Sequence, residues 1–284
     1  MKIRQALIWG AKELKNLKSS ALDAEVLLSY VLKKDKSWLL ANLDKDLSEK
    51  QLTKFKKTIF QRKKGVPVAY ITGHKEFYGL DYYVDKNVLI PRPETELLVE
   101  EALKLKNEPK ILEMGTGSGC VIISMIVSSK PKHQNLWCQG KQLTDNKYYA
   151  SDISIGALKI ARKNARKHKV RIHFIKSNLF QKIPKDTKFD IIIANLPYLD
   201  PKWIKGELKY EPKMALDGGL KGVKIIDKFL KKATSYLSKN GIILMEIDPR
   251  QTKFIKNKAK KYLPNKKIFF KKDLSKNNRV VIFS

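Results

Sequence analysis

The chain has 284 residues, enough for one large domain or two smaller ones, and 43% of them are hydrophobic, which is ample for a core. Its net charge of +31 would suit a polyanion partner. However, the 51 lysines far outnumber the 8 arginines and are spread along the whole chain. We therefore interpret the charge as compositional bias and do not favour direct nucleic-acid binding. The longest apolar run, 120–127, is too short to span a bilayer, and the cysteines and histidines lack metal-ligand spacing, so we expect a cytoplasmic protein with no membrane segment and no metal.

The first part of the chain shows apolar residues at helical spacing and no strand-like alternation. Three helical faces are predicted within residues 2–64, and the third begins at a capping box formed by Ser48 and Gln51. We therefore predict a small helical bundle over residues 1–76. A β-hairpin connector is expected at 77–92, with short strands around 82–84 and 88–90.

From residue 93 onward, helical and strand patterns alternate, which is typical of a parallel sheet with helices on both faces. Seven strands are predicted, at 110–114, 148–152, 171–175, 189–194, 242–247, 267–271 and 279–283. Too few residues separate the last two strands for a crossover helix, so we expect them to pair antiparallel. Residues 93–284 are therefore predicted to form one α/β domain.

A glycine turn connects the first strand of this domain to an apolar helix. The turn reads G-T-G-S-G and consists of Gly115, Thr116, Gly117, Ser118 and Gly119. Glycines let the backbone approach a ligand closely and direct the helix N-terminus toward it, as in nucleotide-binding βα units. The spacing differs from the G-x-G-x-x-G of nicotinamide-dependent enzymes, which argues against that class.

Asp152 closes the second predicted strand, where an acidic side chain can bind the two ribose hydroxyls of an adenosine. Alternatively, Asp152 or Ser154 caps the helix predicted at 157–169. Leu179 follows the third strand, in a loop expected to lie near an adenine ring bound at this edge. Asp152 lies further from the glycines than is usual because of a polar stretch at 131–146, which we interpret as a loop insertion.

Residues 195–198, N-L-P-Y, follow an apolar strand and form the most informative motif of the chain. The nitrogen of an amide or an exocyclic amine is a poor nucleophile because its lone pair is delocalised. Two acceptors that take its hydrogens, here the Asn195 side-chain oxygen and the Leu196 carbonyl, favour a tetrahedral nitrogen. The Tyr198 ring can stack on the flat group. The alternative is a strand followed by a proline-containing turn.

The order of a glycine turn, an acid after the second strand and N-L-P-Y after the fourth resembles that of S-adenosylmethionine-dependent methyltransferases. Further segments resemble one family, the release factor glutamine methyltransferases, which methylate the side-chain nitrogen of a glutamine in bacterial class-I peptide chain release factors. The most specific are P-V-A-Y-I-T-G at 67–73 and I-P-R-P-E-T-E at 90–96. Supporting segments are found at 22–28, 76–79, 210–219, 244–247 and 279–281.

The resemblance implies a class I methyltransferase fold, with a Rossmann-like seven-stranded sheet whose last strand is antiparallel. It implies that the N-terminal bundle helps to grip the release factor, and that the glycine turn and Asp152 hold S-adenosylmethionine. It further implies that Asn195 and Leu196 receive the two hydrogens of the glutamine amide of a Gly-Gly-Gln motif, in a slot shaped by Pro197 and Tyr198. We expect the protein to be a monomer.

Three further residues are identified by the same resemblance. Phe77 resembles a family aromatic residue near the reacting centre, although it would equally suit the core of the connector. Glu211 is expected to border the groove for the substrate peptide. Arg92 is expected either to pair with a carboxylate or to brace the linker.

Leu196 departs from the family pattern, which usually has a second proline at this position. Proline fixes φ and stiffens the loop, whereas leucine does not. The N-L-P-Y spelling also resembles that of ribosomal RNA adenine dimethylases, so an adenine N6-methyltransferase acting on ribosomal RNA or DNA is the main alternative. A nicotinamide-dependent oxidoreductase and a non-catalytic binding protein with this fold are the others.

Overall fold

The computed structural model describes residues 1–105, 109–129 and 147–284. The insertion predicted at 131–146 therefore lies outside the described residues. The chain forms two compact units. The first consists of Met1–His74 together with Gly206–Tyr210, and the second consists of Lys75–Lys205 and Glu211–Ser284.

The first unit is helical, as predicted. Its helices are α1 (Ile3–Glu13), α2 (Ser20–Leu32), α3 (Lys36–Ala41), α4 (Glu49–Lys63) and α5 (Val68–Thr72). Their apolar faces meet in a core that includes Leu27, Phe55 and Ile59, all fully buried. The predicted capping box at the start of α4 is confirmed: Ser48 Oγ accepts the Gln51 N–H at 3.3 Å, and Gln51 Oε1 accepts the Ser48 N–H at 2.9 Å.

A buried arginine anchors the segment Gly206–Tyr210 within this unit. Arg62 of α4 is 5% exposed. Its Nε donates to Asp23 Oδ2 at 2.6 Å, and its Nη2 pairs with Glu207 Oε1 at 2.6 Å. Removing the guanidinium would leave the buried Asp23 carboxylate without its counter-ion, so this contact is integral to the unit.

The second unit contains a hairpin and a large sheet. The hairpin pairs β1 (His74–Phe77) with β2 (Leu80–Tyr83). The sheet consists of β3 (Ile111–Met114), β4 (Tyr148–Asp152), β5 (His173–Lys176), β6 (Phe189–Ala194), β7 (Leu237–Glu246), β8 (Ile268–Lys272) and β9 (Asn278–Phe283). Its order is β5-β4-β3-β6-β7-β9-β8, and β9 runs antiparallel to both of its neighbours. The predicted methyltransferase fold class is thereby confirmed.

Helices cover both faces of this sheet. They are α6 (Glu96–Leu103), α7 (Cys120–Ser128), α8 (Ile155–Lys167), α9 (Lys213–Leu216), α10 (Lys224–Ala233) and α11 (Thr252–Tyr262). Successive residues of β6 alternate between two cores: Ile192 packs with the side that includes α10 and α11, and Ile193 with the side that includes α6 and α7. Among the described residues, no helix has both the length and the apolar character needed to cross a membrane.

Several details of the strand prediction were wrong. Strand β1 was not predicted, and β5 begins at His173 instead of residue 171. Two further differences have a physical cause. Strand β7 begins at Leu237, five residues before the predicted start, because Leu237 pairs with Phe189 across a register shift and the polar residues that follow continue the strand. The segment around 88–90 is not a strand. The Ile90 N–H donates instead to the Glu211 side chain, at 3.0 Å.

Asn164 joins three parts of the second unit. It is fully buried in α8. Its Oδ1 accepts the Tyr83 N–H at 2.8 Å, and its Nδ2 donates to the Tyr83 carbonyl at 3.0 Å and to the Ser118 carbonyl at 2.9 Å. One side chain therefore holds both the hairpin and the glycine turn against α8.

Replacing Asn164 by alanine is expected to lower the free energy of unfolding of the second unit by about 3 kcal/mol. The substitution removes one buried and two partly buried hydrogen bonds to backbone groups, and leaving a buried group without its partner costs roughly 1–3 kcal/mol. Denaturant unfolding followed by circular dichroism measures the change. Asn257→Ala is the matched control, because Asn257 is exposed on α11, and it is expected to stay within about 0.5 kcal/mol of the wild type. Equal stabilities of the two variants would contradict this role of Asn164.

Candidate active site

The register of the sheet brings the three predicted motifs to one edge. Strand β3 lies between β4 and β6, and the three strands run parallel. Met114, the last residue of β3, is aligned with Ser151 of β4 and with Ala194 of β6. The residues that follow these three are Gly115, Asp152 and Asn195. Because ligands of open α/β sheets bind at the carboxyl ends of parallel strands, the three motifs belong to one candidate site.

The glycine turn is open to a ligand at its centre. Gly115, Gly117 and Gly119 have φ angles of 74°, 55° and 80°, which favour glycine. A Cβ at Gly117 would meet no atom within 4 Å. A Cβ at Gly119 would lie 2.9 Å from the Ile123 side chain of α7. The turn therefore lets α7 pack closely and leaves space outside Gly117.

Asp152 lies against this open turn. Its Oδ2 accepts the Gly117 N–H at 3.0 Å, and its Oδ1 accepts the Ser154 N–H at 2.8 Å. Ser154 caps α8, since its Oγ accepts the Ala157 N–H at 3.1 Å. Burial raises the pKa of Asp152, and the backbone N–H groups oppose that rise. A carboxylate has about four lone-pair positions, so Asp152 can accept further hydrogen bonds.

A second carboxyl group beside the turn was not identified from the sequence. Glu113 of β3 is 3% exposed and accepts a hydrogen bond from the Thr116 hydroxyl. Burial raises the pKa of Glu113 to about 8, and the charge of Asp152 adds to the rise. The side chains of Thr116 and Ser118 are buried, and contacts of these two residues with a cofactor stay predictions. The available signal was a charged residue in an otherwise apolar strand.

The Asn195 side chain is fixed by acceptors on two other elements. Its Nδ2 donates to Glu246 Oε2 at 3.1 Å and to Thr95 Oγ1 at 3.3 Å. An ionised carboxylate can only accept, so the amide nitrogen faces Glu246 and the amide oxygen faces away from it. In the part of the chain that the structure describes, Asn195 Oδ1 receives no hydrogen bond.

Tyr198 is held by the same carboxylate. Glu246 ends β7, is 1% exposed and accepts the Tyr198 hydroxyl through Oε1 at 2.8 Å. Burial raises the pKa of Glu246, and hydrogen bonds from Thr95 and Tyr198 oppose that rise. Burial also raises the pKa of Tyr198 well above its usual value, so the phenol stays protonated and donates. The sequence placed Glu246 in a family-like segment but gave it no role.

Leu196 turns its side chain inward. It is 4% exposed, and a Cβ at Gly115 would lie 3.3 Å from Leu196 Cδ2, so the leucine reaches the glycine turn. Within the described residues the Leu196 carbonyl accepts no hydrogen bond. Asn195 Oδ1 and the Leu196 carbonyl are thus two acceptors on consecutive residues with no internal donor. The mechanism predicted from the sequence requires two such acceptors. That they accept the hydrogens of a substrate amide stays a prediction.

The loop that carries N-L-P-Y is supported from two directions. Gln251 Nε2 donates to the Tyr198 carbonyl and to the Gly222 carbonyl, both at 2.9 Å. The Leu199 N–H donates to the Leu216 carbonyl at 2.9 Å. Gly222 has a φ of 68°, and a Cβ there would overlap the Tyr198 carbonyl oxygen. Glycine at position 222 therefore allows the segment around Gly222 to pack against the loop that carries N-L-P-Y.

The buried Glu211 forms an ion pair with the half-buried Arg92. Glu211 is 5% exposed and accepts hydrogen bonds from Arg92 Nη2 and from the Ile90 N–H. Arg92 thus pairs with a carboxylate, which is one of the two roles predicted for it. A contact of Glu211 with a substrate peptide stays a prediction.

The structure places Phe77 and Leu179 as follows. Phe77 is 1% exposed and packs edge-on against Tyr82, with ring centroids 6.2 Å apart, so its side chain lies in the core. Leu179 is half-buried, has a φ of 49°, and its carbonyl accepts the Ser177 hydroxyl at 2.6 Å. Contacts of Phe77 with a substrate and of Leu179 with a cofactor stay predictions.

Comparisons with known proteins agree with this fold. Residues 5–73 match the family described as the PrmC N-terminal domain, and residues 105–280 match a methyltransferase domain. A crystal structure of a methyltransferase from Pyrococcus furiosus superimposes with a TM-score of 0.50. It is 17% identical, and the match covers 80% of this chain and 96% of that chain. This likeness shows the fold.

Two relatives resemble nearly the whole chain. A bifunctional methyltransferase of Rickettsia felis is 34% identical over 99% of this chain, which spans 58% of that longer protein. A release factor glutamine methyltransferase of Clostridium acetobutylicum is also 34% identical, and the match covers 99% of this chain and 98% of the relative. The second match extends along almost the full length of both this chain and the Clostridium acetobutylicum protein. The chain therefore belongs to the release factor glutamine methyltransferase family.

Proposed function

We propose that the protein transfers a methyl group from S-adenosylmethionine to the side-chain amide nitrogen of the glutamine in the Gly-Gly-Gln motif of a class-I peptide chain release factor. The proposal is carried by the fixed Asn195 amide, whose Oδ1 and the Leu196 carbonyl have no donor from the described part of the chain. Membership of the family supports glutamine as the group that they receive. We further propose that the protein acts as a monomer in the cytoplasm, where release factors work.

The carboxyl ends of β3 and β4 fit S-adenosylmethionine. The space outside Gly117 would admit the methionine and ribose, and Asp152 keeps acceptor positions for the ribose hydroxyls. The cofactor would supply a methyl group bonded to a positively charged sulfur, which is a strong electrophile. Gly115 and Gly119 would shape the turn around it.

The protein itself acts on the nucleophile. Asn195 Oδ1 and the Leu196 carbonyl would each accept one N–H of the glutamine amide, which favours a lone pair localised on nitrogen. Because Glu246 holds both Asn195 and Tyr198, the two acceptors and the flat wall of the slot are in place before the substrate arrives. Glu246 already accepts these hydrogen bonds, so we assign the proton released by the nitrogen to solvent water.

Methylation of an adenine amine would use the same acceptors on a different planar group. The positive charge and the N-L-P-Y spelling favour this alternative. The match of residues 5–73 to the PrmC N-terminal domain, and the likeness to a release factor glutamine methyltransferase over 99% of this chain, favour the release factor. We therefore keep the protein substrate as the conclusion.

Incubation with labelled S-adenosylmethionine tests the proposal directly. An unmethylated class-I release factor and a ribosomal RNA fragment are offered in parallel, and mass spectrometry locates the label. We expect a single methyl group on the glutamine of the Gly-Gly-Gln motif. Label on an RNA base would keep the chemistry of Asn195 but overturn the substrate. Bound cofactor without transfer to either substrate would overturn the release factor as substrate and point to another protein amide or to a binding role.

Replacing Asn195 by alanine is expected to lower kcat by about 100-fold, the usual effect of removing one preorganised hydrogen-bonding group that acts in the transition state. Cofactor affinity should stay nearly unchanged, because Asp152 and the glycine turn are intact. Single-turnover transfer and calorimetric titration of S-adenosylmethionine measure the two quantities. Asn257→Ala, on the exposed face of α11, should behave as the wild type. Near-normal turnover of Asn195→Ala would refute the assignment.

The pH dependence of kcat should report Glu246. Ionised, this carboxylate accepts from both Asn195 and Tyr198, and protonation on lowering the pH turns one acceptor into a donor. Because burial raises the pKa of Glu246, we expect kcat to fall on the acid side at a pH above the ordinary glutamate range. Glu246→Gln should lower kcat at every pH and abolish this acid limb.

Tyr198→Phe provides a second test of this pH profile. The Tyr198 hydroxyl stabilises the ionised form of Glu246 and so lowers its pKa. Removing it should move the acid limb to higher pH. A Glu246→Gln enzyme that retains the wild-type limb would show that another group controls it.

A further inference from the structure

Thr95 lies at the start of α6 but does not cap this helix. It ends a short 3-10 turn, Pro93–Thr95, that leads directly into α6. A threonine at the start of a helix often accepts a backbone N–H of the first turn through its hydroxyl. The Thr95 side chain makes no such capping hydrogen bond. Because Thr95 is only 2% exposed, its hydroxyl must find its partners elsewhere in the interior.

The Thr95 hydroxyl has two partners that are distant in the sequence. Asn195 Nδ2 donates to its oxygen at 3.3 Å. The hydroxyl hydrogen is donated to the carboxylate of Glu246, and this hydrogen bond favours the ionised form of Glu246. A hydroxyl group has one hydrogen and two lone pairs. With the hydrogen donated to Glu246, Thr95 Oγ1 can only accept from Asn195.

These partners decide which end of the Asn195 amide faces the substrate. The donating and accepting ends of an asparagine amide have nearly the same shape, so its hydrogen bonds select the orientation. Asn195 Nδ2 faces two acceptors, Thr95 Oγ1 and Glu246 Oε2. Turned end for end, the amide would place Oδ1 against the lone pairs of both acceptors and would present its N–H groups to the substrate. Without the Thr95 hydroxyl, Glu246 alone would oppose this turned form.

We infer that Thr95 is a positioning residue for the proposed methyl transfer and that its hydroxyl holds Asn195 Oδ1 toward the glutamine amide. The inference rests on the proposed function, because Thr95 acts through the acceptor that this function requires. Thr95 belongs to the I-P-R-P-E-T-E segment and Asn195 to N-L-P-Y, so one hydrogen bond joins two segments that carry the family resemblance.

Three variants of the full chain separate the hydroxyl from its surroundings. Thr95→Val keeps nearly the same shape and removes the hydroxyl, whereas Thr95→Ser keeps the hydroxyl. Thr187→Val is the matched control, because Thr187 is half-buried and precedes β6, whereas N-L-P-Y follows the other end of this strand. Steady-state transfer to the release factor gives kcat and KM, and calorimetric titration gives the affinity for S-adenosylmethionine. Thr95→Val is also combined with Asn195→Ala.

Thr95→Val should lower kcat about tenfold, less than the ~100-fold expected for Asn195→Ala, because Glu246 still holds the amide nitrogen. The KM for the release factor and the affinity for S-adenosylmethionine should stay nearly unchanged. Thr95→Ser and Thr187→Val should behave as the wild type. In the Asn195→Ala enzyme, Thr95→Val should have almost no further effect, because a residue that acts through Asn195 then has nothing to position.

The acid limb of kcat provides a separate readout. Thr95→Val removes a donor that favours the ionised form of Glu246, so the limb should move to higher pH, whereas Thr95→Ser should leave it in place. The other groups that act on this carboxylate are unchanged in both variants: Tyr198 and Arg279 favour its ionised form, and Glu94 opposes it.

The outcomes distinguish this inference from the proposed function. Wild-type transfer to glutamine together with a normal kcat of Thr95→Val would overturn the inference and leave the proposed function intact. An equal loss on adding Thr95→Val to the wild type and to Asn195→Ala would do the same, as would a Thr95→Ser enzyme as slow as Thr95→Val. No transfer by the wild type would overturn both.

Discussion

The candidate active site depends on one buried carboxylate. Glu246 joins strand β7, which carries it, to the loop after β6 through Asn195 and Tyr198 and to the turn before α6 through Thr95. In a low-dielectric interior an unpaired carboxylate is costly, so these donors are held where the carboxylate needs them. The same contacts that satisfy Glu246 also orient the Asn195 oxygen away from it. The hydrogen bonds to Glu246 therefore both stabilise the fold and preorganise the candidate site.

The glycine turn, where we propose that the cofactor binds, is also held by hydrogen bonds within the protein. The Thr116 hydroxyl donates a hydrogen bond to Glu113 at the glycine turn. Asn164 of α8 accepts the Tyr83 N–H and donates to the Tyr83 and Ser118 carbonyls. The open surface at Gly117 can therefore lack side chains without losing its shape. The turn has no side chain at Gly117 and is held by hydrogen bonds on the protein side, which suits close approach of the backbone to a ligand.

The fold was predictable from the sequence because its signals are local. Alternation of strands and helices, the short link between the last two strands and the capping box at Ser48 all survive in the structure. The beginning of β7 was missed because polar residues continue a strand that is paired only after a register shift. Glu246 and Glu113 were missed for another reason. Their roles depend on groups brought close by the fold, such as Asn195 for Glu246 and Asp152 for Glu113. A charged residue in an apolar strand indicates that the side chain is buried, but it does not indicate which group donates a hydrogen bond to it.

Leu196 stands where the resemblance to the family predicts a second proline. A proline here would fix φ, whereas leucine must be held by its surroundings. The structure supplies that support: the Leu196 side chain is buried in the core and reaches Gly115, and Gln251 holds the Tyr198 carbonyl two residues later. Burial of a leucine side chain is worth roughly 1.5–3 kcal/mol, which is comparable to the cost of restricting one residue of backbone. The leucine thus packs the N-L-P-Y loop directly against the glycine turn, and this contact fixes the position of one relative to the other.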